Sequence, residues 1–570
     1  MGKRTLPLAR LVKYVVKLCE TGPAAVINYY FLSSLMPNDW NKSRIIEGLR
    51  VIEECRPDLL CHLKELLENY NNTCRSIAYY DLIAGLWLEY FMHVGYVAWE
   101  QVQTLPPITD EEPILELSST YMEFWNLIES QTYHRNLRLA IQRFLADEKP
   151  TAWLQQTEGT ITNDWGRTRY SIKTLLKRAI LQLVVCKRPE VLICAPYFKG
   201  RSSDWWLAMW KWRHWIRWDN LDEFITVPIN YDREWRYNRS KEFTTPGDFS
   251  TALKSLLPLC IPAVFLEGYK DFRAQVLALK KPQPRIVYTA NALHFNMTFK
   301  FLVAEWREQG TILLSQQHGG GYGIERSYFI EDFEIRVSDR FYSWGWLRGD
   351  RKVQPLPAGI YRAKRSKHSK QILLICVSLP KTVIRLVFQP MPGTIEKMIR
   401  QTVDFVSTFP EQGNLLIRPY FKDYGWGFLD KLKRAAPNAK YDTLNRRPSS
   451  FKRFEQSRLV VHSYIGTSWL ETLALDIPTV CFYDPETYSF REEAQPFIDA
   501  LATVGVLHHS GNSAALFVAS QTDNIEKWWN KSETQEARRN FVAQYANFSP
   551  YWKEQWEQEF KAVLDTMCNT

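Results

Sequence analysis

The sequence predicts an α/β protein: two parallel-sheet halves that face a cleft, behind a helical N-terminal region. Three observations carry that expectation. Residues 1–150 repeat apolar positions at spacings of three and four. From about residue 185, short β-branched runs alternate with helical patterns. After a proline-rich and basic break near 355–370 the same rhythm starts again.

In the first region, helical periodicity runs through Leu8 to Leu18, Ile45 to Ile52 and Tyr121 to Phe144. The stretch Leu105-Pro-Pro-Ile-Thr-Asp-Glu-Glu-Pro113 reads as a loop from its prolines and its charge. Leu82 to Trp99 is the most apolar segment, yet it contains Glu89 and His93 and falls short of a clean membrane span. It predicts a buried amphipathic helix.

The first α/β half places strands at Glu190–Ala195, Phe224–Val227, Arg285–Thr289, Thr311–Ser315 and Arg340–Ser343, with a helix over Ala292–Gln309. Pro355-Leu-Pro357 and the basic stretch 362–370 read as a linker. The second half places strands at Gln371–Val377, Asn414–Arg418, Leu459–His462 and Thr479–Phe482, and helices near 394–408, 426–435, 468–475 and 491–502. Thr534–Asp565 is a helical tail rich in Trp. The expected parts are 1–150, 151–360, 361–535 and 536–570. Strand–helix–strand at this spacing implies right-handed crossovers and two Rossmann-like domains. Ligands in such sheets bind beyond the carboxyl ends of the strands.

Composition narrows the class. Of 570 residues 45% are hydrophobic and 24% charged, which excludes global disorder. The net charge of +10 is spread along the chain. With no zinc-ligand spacing, RNA-recognition signature or dense basic stripe, nucleic acid is not an expected partner. The ten cysteines show no CxxC pair, and several sit in apolar runs, as expected of reduced thiols in the cytoplasm. Met1-Gly-Lys-Arg-Thr5 is basic, but no apolar core with a cleavage site follows it, so no secretory signal is expected.

Three loops after strands carry the candidate chemistry. In Thr311-Ile-Leu-Leu-Ser-Gln-Gln-His-Gly-Gly-Gly-Tyr-Gly323, Gln317 and His318 precede Gly319 and Gly320. Glycines let backbone N–H groups approach a ligand, and an imidazole can move a proton near neutral pH. In the second loop, Gly466-Thr467-Ser468 starts a helix after a strand, which suits a nucleotide phosphate. Ser468-x-x-Glu471 also fits a capping box. Glu471 is a candidate for ribose hydroxyls. The third loop holds Arg418 at a strand end, suited either to a phosphate or to a structural salt bridge. Asn291 and His294 follow another strand and are acceptor-side candidates. Glu305 reads as a solvated charge, and Asp339 with Arg340 as a pair near the Trp344-Gly-Trp346 turn. No Asp-x-Asp pair stands in an acidic loop, so no metal and no resident cofactor are expected.

Ser315-Gln-Gln-His-Gly-Gly-Gly-Tyr-Gly323, followed by Val337-Ser-Asp-Arg-Phe-Tyr-Ser-Trp-Gly-Trp346, resembles a family of sugar transferases from bacterial surface-carbohydrate (O-antigen and capsule) gene clusters. Tyr80-Asp-Leu-Ile-Ala-Gly-Leu-Trp-Leu88, Asn163-Asp-Trp165 and Gly466-Thr-Ser-Trp-Leu-Glu471 look like further blocks of that family, so the resemblance runs over roughly residues 75 to 485. Gln317-His-Gly319 is similar to the motif of capsule and lipopolysaccharide transferases that use CMP-activated Kdo. The fold so implied is GT-B-like. Where those enzymes carry His-Pro, this chain reads Arg418-Pro419, and no acid stands upstream in the place of a covalent nucleophile. CDP-glycerol and related polyol-phosphate transferases share the Gly-Thr-(Ser/Thr) block.

The resemblance implies a cytoplasmic, metal-independent glycosyltransferase with a nucleotide-sugar donor, CMP-linked and Kdo- or nonulosonate-like. The acceptor would be a surface glycan or lipid-linked glycan, with peripheral membrane contact. His318 and Gln317 would be catalytic. Gly319, Gly320, Arg418, Gly466, Thr467, Ser468 and Glu471 would bind the donor. Two rivals stand beside it: a CDP-polyol phosphotransferase, and a non-catalytic glycan-assembly protein.

Overall fold

A computed structural model describes residues 40–108, 128–146, 158–162, 188–198, 202–243, 247–359, 369–442 and 449–568. Two six-stranded sheets dominate it. The first comprises β1 Val191–Cys194, β2 Ile216–Trp218, β3 Ile286–Thr289, β4 Ile312–Gln316, β5 Arg340–Ser343 and β6 Val353–Pro355. The second comprises β7 Ile372–Ile375, β8 Leu415–Arg418, β9 Lys440–Tyr441, β10 Leu459–His462, β11 Thr479–Phe482 and β12 Leu507–His508. The helices that position the site are α1 Lys42–Asn71, α2 Leu86–Thr104, α3 Met297–Arg307, α4 Phe329–Val337, α5 Thr467–Ala474 and α6 Trp552–Cys568.

The first sheet runs β2-β1-β3-β4-β5-β6 and the second β9-β8-β7-β10-β11-β12. Every pairing within them is parallel. β1, β3, β7 and β10 are buried at all four positions, as continuous apolar runs must be when helices cover both faces. Strand order reverses between β1 and β3 in one sheet and between β7 and β10 in the other. Each sheet therefore has a crevice at that switch point. The loops carrying Tyr197 and Asn291 flank the first crevice. Those carrying Ser378 and Gly466 flank the second.

The N-terminal helices form a layer against both halves. Asn41 caps α1 by accepting from the Arg44 N–H at 3.0 Å, and Asn72 ends it in the left-handed region. Ile77–Tyr80 passes through a π turn, Asp81–Gly85, into α2. The wider turn buries Asp81, which Arg336 holds through bonds of 2.6 and 3.1 Å. Glu89 and His93 are buried too. Arg336 reaches Glu89 at 2.9 Å, and His93 Nδ1 accepts from the Leu386 N–H at 3.2 Å. The polar groups that make this segment too short for a membrane span thus lock it into the protein. No helix among the described residues is long and apolar enough to cross a membrane.

The end of the chain returns to the first half. On α6, Trp552 stacks on Phe198 (ring centroids 4.3 Å apart) and Trp556 meets Tyr288 at 4.5 Å, so α6 covers one face of the first sheet.

Several expectations are corrected. Phe224–Val227 is not a strand of the main sheet. Thr226–Asn230 pairs antiparallel with Glu158–Thr162 instead, and the strand beside β1 is Ile216–Trp218. Alternating exposure along Thr226–Asn230 suits a two-stranded ribbon with one wet face. The helix expected over Ala292–Gln309 is two helices. Asn296 divides them, accepting from the Phe299 N–H at 2.9 Å and donating to the Asn220 and Leu221 carbonyls. Pro355 ends edge strand β6, where its missing N–H costs no ladder bond. Glu305 is buried, with Arg273 at 2.5 and 2.7 Å and the Tyr79 hydroxyl at 2.9 Å. Asp339 and Arg340 do not pair with each other; they bind Arg307 and Glu559. The expected helix Leu8 to Leu18, Asn163-Asp-Trp165 and most of the stretch 362–370 lie outside the described residues. So does the first part of Tyr121 to Phe144, whose remainder is Gln131–Leu145.

Candidate active site

Three elements of the first domain converge on His318. β4 ends at Gln316, and Gln317 and His318 leave its carboxyl edge. His294 lies on the short helix Ala292–Phe295 after β3. Glu334 lies on α4. Glu334 Oε1 stands 2.9 Å from His294 Nε2 and 3.5 Å from His318 Nδ1. Glu334 Oε2 accepts from the Tyr322 hydroxyl at 2.9 Å, and that hydroxyl is 3.1 Å from His318 Nδ1. The two imidazoles meet edge to face, with centroids 4.7 Å apart. The His318 side chain keeps 18% of its surface open, while Glu334 has none.

Burial dominates the charge balance of this cluster. It lifts Glu334 to about 7, against the pull of His318 and the Tyr322 hydrogen bond. It lowers His318 to about 4, although Glu334 favours the charged ring, and His294 to about 3. Burial thus favours the uncharged form of all three groups, and the Glu334–His318 contact opposes it. His294, His318 and Glu334 also offer ligand atoms within 4.8 Å of one another, a grouping compatible in size with a metal ion. Ligand atoms of a tetrahedral site with bonds of about 2 Å lie roughly 3.3 Å apart. The 2.9 Å separation of His294 and Glu334 is that of a hydrogen bond.

Gln317 is fully buried. Its Oε1 accepts from the Trp344 N–H at 2.9 Å and the Trp346 indole N–H at 2.8 Å, and its Nε2 donates to the Gly319 carbonyl at 3.0 Å. It ties the glycine loop to the turn after β5. Gly323 needs its φ of +69° and presses on the Trp346 ring, where a side chain has no room.

The glycine loop meets the second domain. A Cβ placed on Gly320 would stand 2.6 Å from the Gly466 carbonyl carbon and 2.6 Å from the Thr467 nitrogen. Gly466 is the residue from which α5 starts, at the switch point of the second sheet. The expected capping box does not form. Among the described residues no side chain caps α5; Ser468 Oγ lies 3.3 Å from His462 Nδ1, and Glu471 Oε1 accepts from the Tyr197 hydroxyl at 2.8 Å. Glu471 is drawn across the domain boundary to the first sheet's switch point.

Arg418 and Asn291 are placed separately. Arg418 Nη1 lies 3.3 Å from Asp442 Oδ2, which also binds Arg453 at 2.8 Å. It lines a cavity of about 490 Å³ at the carboxyl edge of the second sheet, with Ser378, Tyr420, Phe421 and Lys422. Asn291 is half-buried beside the first switch point, its N–H directed at the Ala195 carbonyl at 3.3 Å. Sequence reasoning missed Glu334, Tyr322 and Tyr197. For Glu334 a signal exists: with Ile330, Phe333 and Val337 it occupies the apolar face of α4 at helical spacing, where a carboxylate is out of place.

Two doubly wound parallel domains, each presenting its switch point to the other, define a GT-B-like α/β fold. The chain belongs to the LIC12162 family of transferases, whose family model matches residues 29–560. None of the curated proteins matches the chain. Among solved structures it is similar to TarM of S. aureus in complex with Fondaparinux, alpha-GlcNAc-glycerol and UDP. That match has 14% identity and a TM-score of 0.32, and covers 50% of this chain and 58% of that one. It is similar to the wall teichoic acid polymerase TagF soaked with CDPG, at 9% identity and a TM-score of 0.35, covering 70% of this chain and 96% of that one. It is also similar to Anabaena HepE in complex with UDP and glucose, at 11% identity and a TM-score of 0.37, covering 66% of this chain and 100% of that one. The chain thus spans little more than half the length of TarM.

Proposed function

We propose that the protein is a metal-independent glycosyltransferase that moves a sugar from a nucleotide donor, CMP-linked, to a surface-glycan or lipid-linked glycan acceptor on the cytoplasmic side. The observation that carries this reading is the contact of Gly320 with Gly466 and Thr467, with His318 and its buried acid beside it. The nucleotide occupies the cavity at Arg418, where Tyr420 and Phe421 offer faces for a base. Its phosphate meets the uncapped start of α5 at Thr467 and Ser468. The acceptor hydroxyl gives its proton to His318, and the Glu334 carboxylate beside its Nδ1 offsets the burial that otherwise disfavours the imidazolium so formed. The acceptor oxygen bonds to the anomeric carbon. The bond from that carbon to the phosphate oxygen breaks, and its electron pair leaves with the nucleotide. Arg418 and the α5 N–H groups offset the developing negative charge, a task that fixed dipoles perform without a metal.

A thermal-shift series with CMP, CDP, UDP and GDP tests the donor. A ligand at a hundred times its Kd stabilises the native state by about 2.7 kcal/mol. Cytidine nucleotides should raise the melting temperature, and Arg418→Ala should lose the shift. CDP acting where CMP does not would favour polyol-phosphate transfer, and silence from all four would leave a glycan-binding protein. His318→Ala should fold and bind nucleotide yet transfer nothing. Full transfer by that variant removes the catalytic assignment.

A further inference from the structure

A second cavity, of about 780 Å³, lies apart from the one at Arg418. Its wall is drawn from α1, α2, the segment that follows the glycine loop, α4, the β5–β6 turn and the second domain at Phe388 and Arg491. Seven Lys or Arg side chains line it against four Asp or Glu.

These cations fall into two groups. Arg336, Arg348 and Arg491 are fixed by acids: Arg336 by Asp81 and Glu89, Arg348 by Glu331 and Asp332, Arg491 by Glu331. Such pairs stiffen the wall and neutralise part of its charge. Arg50 is likewise held, by Glu47 and Glu54. The remaining three are not matched in this way. Arg326 is exposed, and among the described residues its guanidinium has no ion pair; only its backbone N–H is bound, to the Ser489 carbonyl at 3.0 Å. Among the described residues Lys352 Nζ has no ion pair; it donates to the Arg336 carbonyl at 3.4 Å. Arg56 stands 3.7 Å from Glu89, an acid that Arg336 already holds at 2.9 Å. Cations that nearby carboxylates do not fully balance raise the potential of a concavity and concentrate anions. Ile46, Leu49, Phe329 and Phe388 give the same cavity an apolar side, which suits an organic group attached to the charge.

We infer that this cavity binds a phosphorylated organic molecule, with Arg326, Lys352 and Arg56 taking a phosphate or pyrophosphate and the apolar side taking its organic part. The site is separate from the transfer cleft, and its occupancy does not depend on what the paired loops catalyse. It is nonetheless wired to them. Arg491 donates from Nε to the Glu325 carbonyl and from Nη2 to Glu331, and Glu331 accepts from the Gly323 N–H at 2.7 Å. A ligand that pulls on Arg491 or Arg348 therefore acts on the acid that anchors the end of the glycine loop.

The same chemistry reaches the protein from two sources, a soluble sugar phosphate or a lipid-linked pyrophosphate, and the experiment separates them. Inorganic pyrophosphate and glucose 1-phosphate are titrated into the full chain by calorimetry at constant ionic strength. In parallel, flotation is measured with phosphatidylcholine vesicles that contain or lack a polyprenyl pyrophosphate. Saturable binding of pyrophosphate is expected, weakened tenfold or more in Arg326→Ala/Lys352→Gln, with the melting shift by CMP or CDP unchanged. Arg326 is exposed, so Arg326→Ala alone folds and should show part of the loss. Flotation that requires the polyprenyl pyrophosphate and fails in the double variant assigns the lipid source. Tighter binding of glucose 1-phosphate without flotation assigns the soluble one. Absence of saturable pyrophosphate binding, wild-type affinity in the double variant, or displacement of pyrophosphate by the nucleotide overturns the inference.

Discussion

Gly320→Ala tests whether the two domains must touch where the structure brings them together. The added Cβ would stand 2.6 Å from the Gly466 carbonyl carbon, 2.6 Å from the Thr467 nitrogen and 3.0 Å from the Gly466 Cα. All three atoms are backbone, so no side chain can swing aside. Ordinary contact between heavy atoms is about 3.5–4.0 Å, so the loops must part by roughly 1 Å. Overpacking of this kind costs about 1–3 kcal/mol. A domain of this size loses about 2–4 °C of melting temperature per kcal/mol, which gives a drop of roughly 2–12 °C. Misplacing catalytic groups by about 1 Å costs on the order of a hundredfold in rate. The comparison is Gly349→Ala, where an added Cβ meets nothing within 4 Å. Melting curves, nucleotide-induced shifts and transfer rates are measured on both variants. If Gly320→Ala melts, binds and turns over like the wild type while Gly349→Ala does the same, the loop contact carries no function and the proposed transfer site is misplaced.

Three further outcomes follow from the site. Glu334 is raised to about 7 in the fold against about 4.3 in an unfolded chain, so its contribution to stability is full below about 4.3 and is lost as pH rises through about 7. Glu334→Gln should therefore gain on the wild type between pH 5 and 8 by up to roughly 3 kcal/mol, and parallel melting profiles across that range would exclude the raised carboxyl. Tyr197→Phe strips the buried Glu471 carboxylate of its 2.8 Å donor and should cost about 1–3 kcal/mol in denaturant melts; an unchanged midpoint would mean that this bridge holds nothing. Transfer should survive dialysis against a chelator, with no metal found by mass spectrometry. Loss of activity that Zn²⁺ restores would instead make His294, His318 and Glu334 a metal site.

The parts of the fold that were legible share a physical cause. β1, β3, β7 and β10 are buried on both faces, so they read as continuous apolar runs. Edge strands such as Lys440–Tyr441 and Leu507–His508 have two residues each, too few for any periodicity to register. Ile216–Trp218 hides just after a Trp-rich helix. Within the candidate site, His318 and Gly466 stand out in the sequence because glycines at a strand end let backbone N–H groups approach a ligand. Glu334 was not, because a glutamate in a helix ordinarily faces water. The Tyr197–Glu471 bond joins residues 274 positions apart, and no local pattern encodes such a partner. Gln317 was visible as a residue of interest, but its anchoring bonds depend on two tryptophans that only the fold brings near.

The return of α6 to the first sheet bears on how the protein is made. Phe198, Trp212, Tyr288 and Tyr342 form an apolar face whose cover is Trp552, Trp556 and Phe560. While the ribosome is still building the second domain, that face has no lid. The earlier of the two α/β domains is thus sealed after the later one has been made. Its exposed aromatic face is a target for chaperones or for a neighbouring nascent chain until the tail emerges. Splitting the protein between its domains would not yield two independent modules. It would yield one half lacking a wall and another carrying a wall with nothing to cover.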